Sequence, residues 1–124
     1  MKEIVGDIWD YHNKGNWIVV TTNGSITKAG YCVMGRGVAL EASNRFPDLK
    51  YNLGDLIKHY GNKVFIFGEQ MIITFPVKHR WFEKADIILI KQNLLELAAI
   101  RIDSGNIVSG IIYLTRPGCG NGRL

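Results

Sequence analysis

Cysteine is scarce in this chain. Cys32 and Cys119 stand far apart and form no CxxC pair. That argues against a zinc site or a disulfide framework and fits a reducing, cytoplasmic setting. Long hydrophobic runs are also missing. The longest apolar stretches are far too short to cross a bilayer, so no membrane partner is expected. The N-terminus, MKEIVGDIWD, carries acids and no apolar signal core, and no export signal is read there. There is no internal repeat and no low-complexity linker. His12, His59 and His79 lack metal-ligand spacing, and no pair of carboxylates stands out. Neither a metal nor a cofactor is expected.

What remains is an ordinary globular composition: 124 residues, 47% hydrophobic and 21% charged. It fits one domain over residues 1–124. The formal net charge of +4 suits an anionic ligand. It is too small by itself to establish nucleic-acid binding.

The hydrophobic pattern predicts interleaved strands and helices. Strands are expected at Lys2 to Val5, Trp17 to Thr21, Val64 to Phe67, Met71 to Phe75 and Ile111 to Leu114. The runs at Trp17 and Ile111 read as strands buried on both faces. A hairpin is expected around Gly68-Glu69-Gln70. Helices are expected from Val38 to Phe46, ended by Pro47, and from Leu49 to Tyr60, closed by Gly61. A third runs from Ala85 to Ile102, with Ile87, Ile90, Leu94, Leu97 and Ala98 as its apolar face. The alternation implies an α/β layered fold with a mixed sheet, whose ligands bind at the carboxyl ends of the strands.

Two loops carry the candidate chemistry. In VMGRGVALEASNRFP, glycines Gly35 and Gly37 flank Arg36 where Ser, Thr, Asp or Asn would cap a helix better. Glycine lets backbone amides approach a ligand, and a helix start favours an anion such as phosphate. The plain alternative is a flexible turn. In TRPGCGNGRL three alternating glycines follow a strand and again expose amides; the alternative is a glycine-rich tail. Neither loop has the lysine of GxxxxGK, and neither matches GxGxxG in a Rossmann unit. Asp7, after a strand and before Trp9, reads either as an acceptor for an exocyclic amine or as a turn or helix-cap aspartate. Asn23 reads as part of an Asn-Gly turn. Lys78-His79-Arg80-Trp81 reads as a solvated loop or as a basic-aromatic contact for nucleic acid. Cys119 reads as a small buried thiol rather than a nucleophile.

In combination these blocks are more specific. GDI, TTNG, MGRGVALEASNRFP, ITFPVKHRW and PGCGNGRL resemble, in order and spacing, a macrodomain of the Appr-1-p processing superfamily. They are similar to the branch of ADP-ribosyl-glutamate and ADP-ribosyl-DNA hydrolases and related phage and bacterial proteins. The resemblance implies a three-layer α/β/α sandwich with a central mixed sheet and an ADP-ribose cleft. It places Gly6, Asp7 and Ile8 at the adenine, and Asn23 at the distal ribose. Met34, Gly35, Arg36, Gly37 and Val38 would lie near the pyrophosphate and distal ribose. Pro117, Gly118, Cys119, Gly120 and Asn121 would form the opposite phosphate loop. Lys78 matches the lysine of the lysine-using hydrolases, so Lys78 and Asn23 are the expected catalytic pair. Gly122 stands where some relatives carry an aspartate, which argues against an Asp-assisted lysine. The chain ends at Leu124, before the further helix and strand the resemblance implies, so a C-terminally shortened form is expected.

The implied activity is hydrolysis of an ADP-ribosyl adduct on nucleic acid or protein, or of ADP-ribose 1″-phosphate. The alternatives are a reader that binds ADP-ribose without turnover and a nucleic-acid-binding module built on the KHRW cluster.

Overall fold

The computed structural model describes residues 2–3, 7–104 and 112–114. The elements are β1 (Lys2–Glu3), α1 (Ile8–Asn13), β2 (Trp17–Asn23), α2 (Gly37–Arg45), α3 (Leu49–Tyr60), β3 (Phe65–Phe67), β4 (Ile72–Lys78), α4 (Ile87–Ser104) and β5 (Ile112–Leu114). Five strands form one sheet in the order β1-β5-β2-β4-β3. β1, β5, β2 and β4 run parallel, and β3 closes the edge antiparallel to β4.

Alternation along the central strands builds two cores. Ile18, Val20 and Ile72 face α1, α2 and α3 and pack with Ile8, Trp9, Ala42, Leu49, Leu53 and Ile57. Trp17, Val19, Ile73, Phe75 and Val77 face the other way, against Ile90 and Leu97 of α4. The result is the expected three-layer sandwich with a mixed sheet. Each large side chain buried this way contributes roughly 1.5–3 kcal/mol. Trp9 also ties α1 to α2. Its Nε1 donates to Glu41 Oε1 at 3.2 Å, and the Arg45 guanidinium stands 4.3 Å above the ring.

Several expectations are corrected. The predicted elements lack α1, although the helix-cap reading of Asp7 holds: its carboxylate accepts the Trp9 amide at 2.9 Å. β1 is assigned only at Lys2–Glu3, and residues 4–6 lie outside the described residues. α2 starts at Gly37, one residue early, and stops at Arg45. Tyr60 and Ile87, expected on apolar faces, are exposed, and so is Ala98. Leu89 and Asn93 are buried on the α4 face instead.

β4 runs on to Lys78 instead of ending near Phe75. The extension carries Pro76 inside the strand, although proline cannot donate to a ladder. The register resolves this. Ile18 N–H donates to Met71 O, which turns the odd-numbered positions of β4 toward β2. Pro76 therefore faces the other side, beyond Phe65, where β3 has already ended. Its carbonyl on that open side accepts from Asn93 Nδ2 at 2.9 Å.

One glycine inside α3 is set by close approach. A Cβ on Gly54 would overlap the Gly30 carbonyl oxygen and lie 3.0 Å from Tyr31 Cα. The loop before α2 thus rests directly on the α3 backbone, and Cys32 N–H donates to Lys50 O at 2.9 Å.

Asn93 is the buried polar exception on α4. Asn93→Ala leaves the Pro76 carbonyl without its donor and is expected to lower the unfolding free energy by about 1–3 kcal/mol in urea titration. A loss below about 0.5 kcal/mol, the size of an ordinary surface change, would show that this bond does not hold the end of β4.

Candidate functional site

Because β1, β5, β2 and β4 are parallel, their carboxyl ends share one edge of the sheet. Asp7 follows β1, Asn23 ends β2 and Lys78 ends β4. Open α/β sheets bind ligands along such an edge. Asp7 is exposed there, while the Ile8 side chain turns into the core.

Asn23 and Lys78 are register partners across the β2–β4 ladder. The ladder slips by one residue to achieve this. Thr22 pairs with Pro76, then Asn23 pairs with Lys78, so Val77 is the extra residue of a β-bulge. Val77 keeps its side chain in the α4 core. Lys78 takes the place opposite Asn23 and is half-buried.

Asn23 is 8% exposed and does more than make a turn. Its Nδ2 donates to Val33 O at 3.0 Å, and its Oδ1 accepts from Ser25 N at 2.9 Å. Its backbone carbonyl accepts from the Cys32 thiol at 3.4 Å. An isolated bridge between Ile26 and Cys32 closes the same loop. The Asn23 side chain therefore fixes the segment that leads into Met34-Gly35-Arg36-Gly37.

That segment starts a helix without protecting it. Arg36 occupies the cap position in extended backbone, with no side-chain cap bond and no acid in the first turn. Gly37 has φ +57°, which explains glycine at that position. Gly35 has nothing within 4 Å of where its Cβ would stand. Met34 is buried and anchors the loop, Gly35, Arg36 and Gly37 are exposed, and Val38 is half-buried. The contrast lies within the same molecule. Asp7 caps α1, and Asp86 accepts from the Ile88 and Leu89 amides at 2.9 and 3.3 Å to cap α4. The Leu89 amide above all, with His79 beside it, holds the Asp86 carboxyl below the usual carboxylate range. α3 also starts without a side-chain cap bond, but at an acid, Asp48; among the described helices α2 alone starts uncapped at a basic residue, with its amides and dipole available to an anion.

Beyond Asn23 and Lys78 an open pocket of ≈ 480 Å³ is lined by Ser25, Thr27, Val33, His79, Arg80 and Trp81, among others. Ser25 Oγ accepts the Trp81 amide at 2.9 Å and holds this rim. Trp81 and Phe82 are exposed and meet edge to face, 5.6 Å apart.

The structure thus brings together Asn23, Lys78 and the Met34–Val38 loop, with Asp7 on the same edge. Gly6, Pro117, Gly118, Cys119, Gly120 and Asn121 lie outside the described residues. Among the described residues no group of three or more His, Cys, Asp or Glu is placed to hold a metal. Sequence reasoning missed Ser25 and Asn62, whose side chains reach backbone groups far away in sequence and carry no motif.

The chain matches no family model and no curated protein. Solved structures do match. The macrodomain of Mycobacterium tuberculosis DarG aligns with 24% identity and TM-score 0.72, covering 88% of this chain and 72% of that one. The macrodomain of Thermus aquaticus DarG aligns with 25% identity and TM-score 0.70 over the same shares. Thermosipho africanus DarTG in complex with ADP-ribose aligns with 21% identity and TM-score 0.72, and there this chain spans 31% of the other. The fold is that of a macrodomain, and it resembles the DarG branch.

The site loop contains a buried thiol, Cys32, which burial pushes up from 9.0 to about 12. In the unfolded chain the thiol ionises at its ordinary value. Its contribution is therefore complete below about pH 9 and is lost as pH rises toward 12. Between about pH 8 and about pH 10 the wild type is expected to lose about 1.4 kcal/mol more unfolding free energy than Cys32→Ala. Equal losses in denaturant titrations at the two pH values would mean that Cys32 ionises in the folded protein.

Proposed function

We propose that this macrodomain-fold protein binds ADP-ribose along the shared carboxyl edge of its parallel strands and hydrolyses an ADP-ribosyl adduct. The observation that carries the proposal is the register pairing of Asn23 with Lys78 beside an uncapped, glycine-opened helix start. The resemblance to a solved DarTG that holds ADP-ribose supports the choice of ligand.

In this reading the first amides of α2 and the open backbone at Gly35 receive the pyrophosphate. Asn23, already fixed by Val33 and Ser25, has a second amide hydrogen that those bonds do not use, and it meets the distal ribose. Lys78 stands at the anomeric carbon. Hydrolysis breaks the bond from that carbon to the acceptor group. Water supplies the oxygen that replaces it, and the leaving group takes the proton. As a neutral amine Lys78 attacks the carbon and is later displaced by water. As an ammonium it stabilises the charge on the departing group. Both routes use the same position.

The rim beyond Lys78 favours an adduct carried on nucleic acid. Trp81 and Phe82 are 54% and 63% exposed, and Arg80 precedes them. Exposed rings stack on bases, and a guanidinium meets phosphate. ADP-ribose 1″-phosphate would offer Arg80 a phosphate but brings no further base for the two exposed rings.

Lys78→Ala is expected to abolish release from an ADP-ribosylated oligonucleotide while keeping the ADP-ribose Kd within about threefold, a change under 1 kcal/mol. Full release by that variant removes Lys78 from the reaction. Binding without release by the wild type, on nucleic-acid and protein adducts alike, would make the protein a reader.

Gly35→Val tests the cradle more cleanly than any change at Gly37, whose positive φ strains other residues. With open space at residue 35, the variant should keep its thermal midpoint and lose about tenfold in ADP-ribose affinity by calorimetry. Unchanged affinity would count against an amide cradle at this loop.

A further inference from the structure

Asn62 stands one residue past Gly61, whose φ of +92° ends α3 and turns the chain back toward the sheet edge. Its Nδ2 donates to the Lys78 carbonyl at 3.1 Å. The carbonyl can only accept, so the amide is oriented with nitrogen toward Lys78. Its Oδ1 is buried and has no hydrogen-bond partner among the described residues. A buried amide oxygen left without a donor is destabilising. Asparagine is thus a poor choice here for stability alone.

A second residue makes room for this contact. A Cβ on Gly24 would lie 2.9 Å from Asn62 Cγ and Nδ2 and 2.8 Å from His79 O. The Gly24 amide donates to that same His79 carbonyl at 3.0 Å. Gly24 and Asn62 together therefore grip two successive carbonyls, Lys78 and His79, immediately after the Val77 bulge. A bulge breaks the ladder locally and re-aims the residue beside it. Without a brace, the pairing of Asn23 with Lys78 rests on the last rung of a strand end.

We propose that Asn62 is a positioning residue for Lys78: its amide, admitted by the bare backbone of Gly24, holds the Lys78 carbonyl and sets the lysine opposite Asn23. The inference rests on the reading above, in which Lys78 acts at the anomeric carbon. Asn62 touches no substrate. It acts through geometry, and small displacements of a reacting group cost rate far more than affinity.

Asn62→Ala and Asn62→Asp are compared on an ADP-ribosylated oligonucleotide, with ADP-ribose as the binding probe. Asp keeps the volume but has no donor at neutral pH. Both are expected to lower kcat by about tenfold or more, leaving KM and the ADP-ribose Kd within about twofold. Gly24→Ala, whose Cβ would crowd both Asn62 and the His79 carbonyl, should do the same, and the Gly24→Ala/Asn62→Ala double variant should lose less than the product of the two single losses, because the Asn62 bond can be lost only once. Full kcat in Asn62→Asp overturns the proposal; should Gly24→Ala fail to fold, Asn62→Asp decides alone. If the wild type releases nothing from any adduct, the functional reading fails, and the positioning claim is decided without activity. After reductive methylation with 13C-formaldehyde, the methyl resonance missing from Lys78→Ala reports the lysine in place. Its shift to the free-lysine position in Asn62→Asp supports the claim, and an unmoved resonance overturns it.

Discussion

The parallel ladder between β2 and β4, offset by one residue at Val77, is the constraint on which the site depends. Before the bulge, the paired residues of the two strands feed the same cores, Ile18 with Ile72 and Val19 with Ile73. After it, the apolar requirement of the core and the polar requirement of the edge are separated. Val77 stays with α4, and Lys78 is released to stand opposite Asn23. A regular ladder would put Val77 there. Core packing therefore sets the register of the strand, and the bulge brings Lys78 opposite Asn23.

The helix termini follow a similar division. Two aspartates satisfy the amides of α1 and α4, and Asp86 also meets His79 at 3.1 Å. The start of α2 has arginine and glycine instead. Leaving a cap unfilled costs about 0.5–2 kcal/mol, and a glycine in the first turn adds backbone entropy. The buried Asn62 oxygen is another such cost. These two deficits lie by the sheet edge, where a ligand would offset them, whereas the unpartnered Thr74 hydroxyl lies in the middle of β4.

Much of this was legible from residue types. The apolar runs at Trp17 and Ile111 mark strands that lie inside the sheet, β2 and β5, the Gly61 stop is a glycine cap, and the GRG loop signals bare amides. The two-turn α1 was hidden because six residues give too little periodicity to see, and Asp7 reads equally as a turn. The end of β4 was hidden because proline signals a break unless one knows that its neighbour strand has already stopped. Gly24 reads as the second half of an Asn-Gly turn, yet its φ is not positive; it is there because Asn62 and His79 come too close for a side chain. Such contacts between distant segments leave no periodic trace. Pairings of that kind, Ser25 with Trp81 and Asn62 with Lys78, are what position the candidate site.

The bare backbone at Gly54 extends the site's reach in an unexpected direction. It lies inside α3, yet any side chain there would press on Gly30, Tyr31 and Cys32. Displacing Cys32 displaces Val33, the acceptor for the Asn23 amide. A helix interior is thereby coupled to the candidate site: the tolerance of residue 54 is set by the backbone of the loop that the Asn23 side chain also holds.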